Sequence, residues 1–387
     1  MILRLLPVIF ITLVLPNLYL YFKYWRKKYS AIKILSACLL DICLIVGAII
    51  ISCNETMSPG NLATISIYLL TYMLVALPKT IYVLSLILFH SLGRIWSPIK
   101  KIAQPISLTL RIIIFICILV GIFYGPKHLI VKTEHIQSHQ VPQAFDGYRI
   151  VLFTDSHLAS FAGHPEMVRS IVDRINSLQP DMIVFTGDLV NIESEEMLPY
   201  LYDLSRLSAT DGVYSILGNH DYHTYARYLT PEEQSNGVER LKELQGAIGW
   251  KLLLNEHHII HHKTDSIAII GVENDGKPPF PERGDLTKAT AGINNGTYKI
   301  LLSHDPSHWQ RKVVNHTDIQ LTLSGHTHGM QFTLFGWSPA QYIYPEWGGT
   351  YEQGEQMLHV SLGVGGALIP FRFGAWPEIS LIILQHI

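Results

Sequence analysis

No cysteine follows Cys117 in this chain of 387 residues. The four present, Cys38, Cys43, Cys53 and Cys117, all lie in the apolar first third. A disulfide framework or a zinc–thiolate centre is thereby excluded downstream, and a cysteine-free region suits an oxidising compartment. Acids are nearly missing from the other end. Residues 1–126 hold eleven Lys and Arg but only Asp41 and Glu55 as acids, a net charge of +9. The other 18 bases and 29 acids leave the remainder at −11. A domain that acidic grips a phosphate backbone poorly, so nucleic acid is not an expected partner. Repeats and low-complexity tracts are absent too.

Apolar length fills the first third. Leu5–Phe22, Ile34–Cys53, Leu62–Pro78 and a run from Ile106 to Tyr124 each approach the roughly 20 residues that cross a bilayer core. Ile81–His90 is too short to cross alone and reads as an extension of the third span or an interfacial segment. No small-residue cleavage site follows the first run; "KYWRKKY" does, which reads as an anchor flank. Five bases lie in Lys23–Lys33 and three in Arg94–Lys101, whereas Asn54–Asn61 has none and carries Glu55. Basic loops stay in the cytoplasm. The expectation is therefore a multi-pass protein of the cytoplasmic membrane, with everything after Tyr124 outside. Arg4 pulls mildly against an outward N-terminus. Asp41, Lys79 and Arg111 fall in or beside spans. They read first as an ion pair and snorkelling bases, and otherwise as a polar pathway.

Strands and helices alternate after the spans, which predicts a layered α/β domain. Tyr148–His157, Pro180–Val190 and Gly212–His223 read as strand and turn. Helices are expected over Pro165–Gln179, from the spacing of Met167, Ile171, Ile175 and Leu178, and over Glu193–Leu207. Further strands follow in "KLLLNEHHIIHH", "SIAIIGVEN", "YKILLSHDP", "DIQLTLSGHTH", "MLHVSLG" and "EISLIILQ". The expected division is a membrane domain over 1–126, a linker over 127–147 and a catalytic domain over 148–387.

Five strands end in polar clusters: "DSH" with Asp155 and His157, "GDL" with Asp188, "GNHD" with Asn219 and His220, "SHD" with His304, and "GHTHG" with His326 and His328. Taken singly these are ordinary. Asp155 reads as a helix cap, Asn219 as a turn residue, and His304 as a satisfied core histidine. Taken together they gather carboxylate, amide and imidazole donors where α/β sheets bind ligands, at strand carboxyl ends. Nitrogen and oxygen donors without sulfur suit Mn, Fe or Zn. "EHHIIHH" (Glu256–His262) lacks such acidic company and reads as a solvated hairpin face.

In that order the motifs resemble the calcineurin-like metallophosphoesterases, over Tyr148 to about Gln385, and most nearly their membrane-tethered bacterial branch of the YkuE and YaeI type. "PDMIVFTGDLV", "GVYSILGNHDY", "LLSHDP" and "PFRFGAWPEISLIIL" share that likeness. Met330 departs from it, standing where a second glycine is common. The resemblance implies N-terminal transmembrane helices plus an α/β catalytic domain of four layers, αββα, two mixed sheets face to face with helices outside. It implies two divalent metal ions (Mn, Zn or Fe). Asp155, His157, Asp188 and His328 would hold one; Asp188, Asn219, His304 and His326 would hold the other. Asp188 would bridge, and His220 would stay off the metals and, with Asn219, face the substrate. Such a pair, about 3.5–4 Å apart, clamps an in-line displacement and supplies hydroxide near neutral pH.

The expected function is hydrolysis of a phosphoester, a diester of a small molecule, lipid or envelope component, outside the membrane. Asp188 and His220 carry the catalytic expectation, and no protein partner is indicated. A second enzyme reading is pyrophosphate cleavage of a lipid-linked nucleotide sugar such as a UDP-diacylglucosamine, which needs a cytosolic site. A non-catalytic metal-binding scaffold is the reading of another class. The aromatic stretch Phe332–Trp347 either packs an irregular loop or forms a lip that meets lipid.

Overall fold

The structure, a computed structural model, describes residues 2–53 and 58–387. It divides into two compact units, Met1–Tyr124 and Gly125–Ile387. Glu55, the acid of the second loop, lies outside the described residues.

The first unit is helical: α1 (Ile2–Leu20), α2 (Ala31–Cys53), α3 (Pro59–Leu92) and α4 (Pro98–Phe123). All four belong to segments long and apolar enough to cross a membrane. Their outward faces are apolar, as at Ile32, Leu35, Ile67 and Ile116, which suits lipid rather than water. Ile81–His90 continues α3 without a break, and its 34 residues reach about 50 Å at about 1.5 Å per residue. Lys79 Nζ sits 2.5 Å from Asp41 Oδ1, and Asn17 Nδ2 donates to Asp41 Oδ2 at 2.6 Å. Arg111 lies over the Tyr82 ring at 5.8 Å. The intramembrane acid is therefore neutralised locally.

In the second unit, β1 (Ile130–Ser138), β2 (Arg149–Phe153), β3 (Met182–Phe185), β4 (Val213–Ser215), β5 (Lys251–Leu252) and β12 (Glu378–His386) make one sheet, ordered β1-β12-β2-β3-β4-β5. The other contains β6 (Glu256–His262), β7 (Asp265–Gly271), β8 (Tyr298–Leu302), β9 (Leu321–Ser324), β10 (Gly349–Gln353) and β11 (Gln356–Val360), ordered β10-β11-β9-β8-β7-β6. Both sheets mix parallel and antiparallel pairs.

Alternation along the strands builds the layers. Ile150, Leu152, Met182 and Val184 face Ile267, Ile269, Ile300 and Leu323 in the core between the sheets. The opposite side chains, Val151, Phe153, Ile183 and Phe185, pack on Val168, Ile171, Val172 and Ile175 of α5 (Pro165–Ser177). On the outer face of the second sheet, Ala268, Ile270 and Leu301 pack on Trp309, Val313 and Ala289. The result is the four-layer αββα sandwich. Strands buried on both faces read as apolar runs, as Ile150–Phe153 of β2, Met182–Phe185 of β3 and Ile300–Leu302 of β8 do.

Several expectations need correction. The stretch 127–147 is not a plain linker. It holds β1, which pairs in parallel with β12 from Ile130↔Glu378 to Ser138↔His386. Polar residues such as Lys132, Glu134 and Gln137 hide this strand because it is a sheet edge, half solvated. Glu193–Leu207 is not one helix but a 3-10 segment, Ser194–Tyr200, followed by the short α6 (Leu201–Leu204). Pro199 interrupts the bonding there. Glu196 turns back to accept from the backbone N–H of Asn191, Ile192 and Glu193. A helix not expected, α7 (Pro231–Ala247), opens with a capping box between Thr230 and Glu233. Another short one is α8 (Leu286–Thr290).

Candidate metal centre

β2, β3 and β4 run parallel, and so do β8 and β9. Their carboxyl ends are stitched together across the two sheets. His304 Nδ1 donates to Thr186 O at 2.7 Å, and the His326 amide donates to Asp155 Oδ2 at 2.9 Å. The polar clusters that end these strands thus share one place, and all seven candidate ligands lie there.

Distances group the donors around Asp188. Its Oδ2 lies 3.6 Å from His157 Nε2 and 3.2 Å from His304 Nε2. His157 Nε2 and His328 Nε2 are 3.0 Å apart, and Asp155 Oδ1 is 3.3 Å from His328 Nε2. On the other side, His304 Nε2 and His326 Nδ1 approach to 3.2 Å. Three groups have ligand atoms within 4.8 Å of one another: Asp155, His157 and His328; Asp188, His304 and His326; and His157, Asp188 and His220. The third brings His220 within reach of the donors. Asn219 belongs to none of these His and carboxylate groups, yet its Oδ1 is buried without a hydrogen-bond partner, as is Asp155 Oδ1. Buried polar atoms are normally paired, so two oxygens without a hydrogen bond among converging imidazole nitrogens suit a cation. The donor set fits divalent ions.

Backbone conformation is spent on this convergence. Asp155, His157, Asp188, His326 and His328 all have φ between 43° and 75°. Such left-handed non-glycine residues cost of order 1–3 kcal/mol each and gather at functional sites. Two glycines permit the crowding. A Cβ on Gly218 would lie 2.2 Å from Asp188 Oδ1, and one on Gly325 would lie 2.2 Å from Asp155 Oδ2. Met330 is also left-handed, at 47°, a conformation that glycine adopts without strain.

Charge is divided sharply. Burial works against ionised Asp188, yet His304 and His220 beside it hold its carboxyl well below the usual carboxylate range. Burial would lower His304, but the Asp188 charge raises it to about 10. Burial lowers His326 to about 4 and takes His157 and His328 well below the ordinary value. Asp155 is pushed up to about 6 by burial.

Four residues support the cluster; sequence reasoning did not assign Asp221, Tyr225 or Arg372 such a part, and it read Tyr344 only within the aromatic stretch. Asp221, last of "GNHD", accepts from the amides of Gly218, Asp188, Leu189 and Val190 and so locks two ligand loops together. Tyr225 accepts from Asn219 Nδ2 at 2.9 Å. The Tyr344 hydroxyl lies 2.8 Å from His326 Nε2. Arg372 is fully buried, donates to His328 Nδ1 at 3.0 Å and to the carbonyls of Leu362, Gly363 and Ala375, and is lowered to about 10 by burial. Metal-binding histidines depend on such partners. Only Asp221 and Arg372 lie within stretches that the motif comparison quoted. His220 Nδ1 donates to Asn191 O at 2.7 Å. The histidines of Glu256–His262 lie on an edge strand in none of the three groups.

The calcineurin-like phosphoesterase family matches residues 148–330. Metallophosphoesterase YkuE of Bacillus subtilis is 31% identical over 278 residues, 68% of this chain and 88% of that one. A Bos taurus protein named transmembrane protein with metallophosphoesterase domain is 31% identical over 277 residues, 69% of this chain but 59% of that one. Metallophosphoesterase YkoQ of Bacillus subtilis is 27% identical over 289 residues, covering 71% of this chain and 97% of its own.

Proposed function

This chain belongs to the calcineurin-like phosphoesterase family, and on that premise we propose that it is a multi-pass phosphodiesterase with two divalent ions and its site outside the cytoplasmic membrane. The family makes it a metal-dependent phosphoric ester hydrolase, and its apolar helices make it a membrane protein. In this reading Asp155, His157, Asp188 and His328 hold one ion and Asp188, Asn219, His304 and His326 the other. The observation that carries it is the position of Asp188 Oδ2, between His157 Nε2 at 3.6 Å and His304 Nε2 at 3.2 Å. One oxygen there serves both donor sets. Mn, Fe or Zn fits these donors.

Two bound ions supply Lewis acidity, stabilising phosphoryl charge and making hydroxide available near neutral pH. The chain supplies position and a proton. Asp188 Oδ1 accepts from the His220 amide at 2.8 Å, which fixes the turn carrying His220. The Asn191 carbonyl accepts a hydrogen bond from Nδ1–H and orients the ring, so in the imidazolium form Nε2 is the atom that carries the proton for the leaving oxygen. Arg372, the cation bonded directly to a donor histidine, is committed to carbonyls deep in the fold. A lipid or envelope diester suits a site tethered to a membrane helix. The basic loops Lys23–Lys33 and Arg94–Lys101 support an outward catalytic domain.

The test is metal analysis of the full-length protein after reconstitution with Mn or Zn. Two ions per chain are expected, and Asp188→Ala should weaken both. A folded wild-type protein that retains one ion or none rejects the reading.

A further inference from the structure

Six residues beyond His328 the chain reverses, and Leu334 and Trp337 form an isolated antiparallel bridge. Phe335 and Gly336 make the tip, with φ of 51° and 78°. A left-handed phenylalanine is uncommon, and this one gains no packing: Phe335 is 100% exposed. Met330, Leu334, Trp337, Tyr342 and Ile343 are exposed as well, Tyr342 at 77%. Trp337 meets Tyr342 edge to face at 6.4 Å. The base, by contrast, is packed. Phe332 stacks on Phe373 at 5.9 Å, and Ser338 Oγ donates to Gly329 O at 2.7 Å. Tyr344 then returns to His326. The projection is therefore clamped at both ends to the loop that carries His326 and His328.

Composition decides the partner. No Lys, Arg, Asp or Glu occurs from Met330 to Pro345, so a charged peptide or a nucleic acid finds no counter-charge there. Exposed apolar groups gathered this way mark an interaction site, and Trp, Tyr and Phe together favour the headgroup level of a bilayer. The same chain carries α4, of membrane-crossing length, and only Tyr124 to Leu129 separate it from β1. A bilayer is thus the surface this domain meets at the highest local concentration.

We propose that Met330–Ile343 is a membrane-docking element. It seats Phe335, Trp337 and Tyr342 among lipid headgroups and opens the adjoining site to a phosphoester resident in the bilayer. Only the second half of this proposal rests on the hydrolase reading.

The first experiment measures depth and needs no activity. Full-length protein with Cys38, Cys43, Cys53 and Cys117 changed to serine is placed in phosphatidylethanolamine–phosphatidylglycerol vesicles. A nitroxide is attached at Phe335→Cys, or at Lys263→Cys in the β6–β7 turn. That turn leads into the amino end of β7, which is parallel to β8 and so lies opposite the end bearing His304. The label at 335 should relax with oxygen in preference to an aqueous nickel chelate, and the label at 263 should do the reverse. Equal chelate access at the two positions overturns docking. Should the serine variant not fold, the emission lost on Trp337→Phe in the otherwise native chain replaces it. That emission should be quenched in brominated-lipid vesicles, and an unquenched difference overturns docking equally.

The second experiment compares a soluble nitrophenyl phosphodiester with an alkyl nitrophenyl phosphodiester embedded in the same vesicles. The double change Phe335→Asp, Trp337→Asp should lower kcat/KM on the embedded probe about tenfold or more, the equivalent of about 1.4 kcal/mol, and leave the soluble probe unchanged. Equal losses on both, or on neither, overturn delivery. A wild-type protein inert to both probes strikes the hydrolase reading, and the depth measurement still decides docking.

Discussion

The Tyr225 hydroxyl accepts a hydrogen bond from Asn219 Nδ2 at 2.9 Å, and this fixes which end of the amide meets the metal-ligand cluster. Asn219 Oδ1 is left buried with no partner of its own. The same ring stacks on His220, with centroids 4.2 Å apart at 26°. One tyrosine thus orients a candidate ligand and the proposed acid together. Removing an outer partner of a metal ligand typically costs 10–100-fold in affinity or activity. Tyr225→Phe keeps the ring and loses the oxygen, so one of two ions should bind about 10–100-fold more weakly while the other is unaffected. Tyr225→Leu should also alter the pH profile of kcat, because it removes the stack on His220. Calorimetric metal titration decides the first point: two ions bound by Tyr225→Phe as tightly as by wild type would show that the amide needs no such hold.

The strands and the polar clusters that end them were legible for one physical reason. Strands buried on both faces are written as unbroken apolar runs, and here the chemistry follows immediately after them. Ile150–Phe153 runs into Asp155, and Ile300–Leu302 into His304. β1 escaped notice because Ile130–Ser138 is half solvated, and alternation that includes Lys132 and Glu134 looks like a polar connection. α7 was legible and overlooked: Thr230, Pro231 and Glu233 spell a helix start. The Glu193–Leu207 segment went the other way, since the pull of Glu196 toward three amides depends on a loop that sequence spacing does not show. Tyr225, Tyr344 and Arg372 lay beyond reach for a similar reason. A phenol or a guanidinium becomes a ligand's partner only once separate strand ends have been brought together.

His220 should serve the leaving group. Its Nδ1 is committed to the Asn191 carbonyl, so the ring is held and Nε2 is the atom available. General acid catalysis is typically worth 10²–10⁴-fold, and His220→Ala should lose about that much on an alkyl leaving group while retaining its metal. Nitrophenolate leaves with little help, so the loss there should be far smaller. Equal losses on the two substrates, at equal metal content, sink the acid role.

Metal binding should depend on pH through His304. The Asp188 carboxylate 3.2 Å away raises His304 to about 10 against the effect of burial. Burial keeps His157, His326 and His328 neutral at pH 7. Three imidazoles are therefore ready donors, and the fourth holds a proton where an ion is to bind. A raised folded value means that the His304–Asp188 pairing stabilises the metal-free fold fully below about pH 6.5, the ordinary histidine value. That stability is lost as pH rises through about 10. An ion must displace the proton. Affinity at that position should therefore climb about tenfold per pH unit between about 7 and 9, and Tm of the metal-free protein should fall over the same window. Calorimetry in two buffers of different ionisation heat should find about one proton released per pair of ions. No proton release near pH 7.5 would mean that His304 is already neutral.

The side of the membrane is open to a direct test. Lys23–Lys33 holds five bases and Arg94–Lys101 three, and no acid falls in either stretch. Short basic loops are retained in the cytoplasm. With four crossings, both loops inside would place Gly125–Ile387 outside, and that is the expectation under test. Cys38, Cys43, Cys53 and Cys117 all precede that unit, so nothing in it is harmed by an oxidising compartment. Alkaline phosphatase joined after Ile387 should be active and a fluorescent protein joined there dark. Replacing Arg26, Lys27 and Lys28 with glutamine should weaken that bias and give a mixed population, since retention follows the positive charges rather than net charge. The reverse reporter pattern in the wild-type chain puts the metal centre in the cytosol. A lipid-linked nucleotide pyrophosphate then becomes a better substrate than an envelope diester, because nucleotide-activated lipids are made on that side.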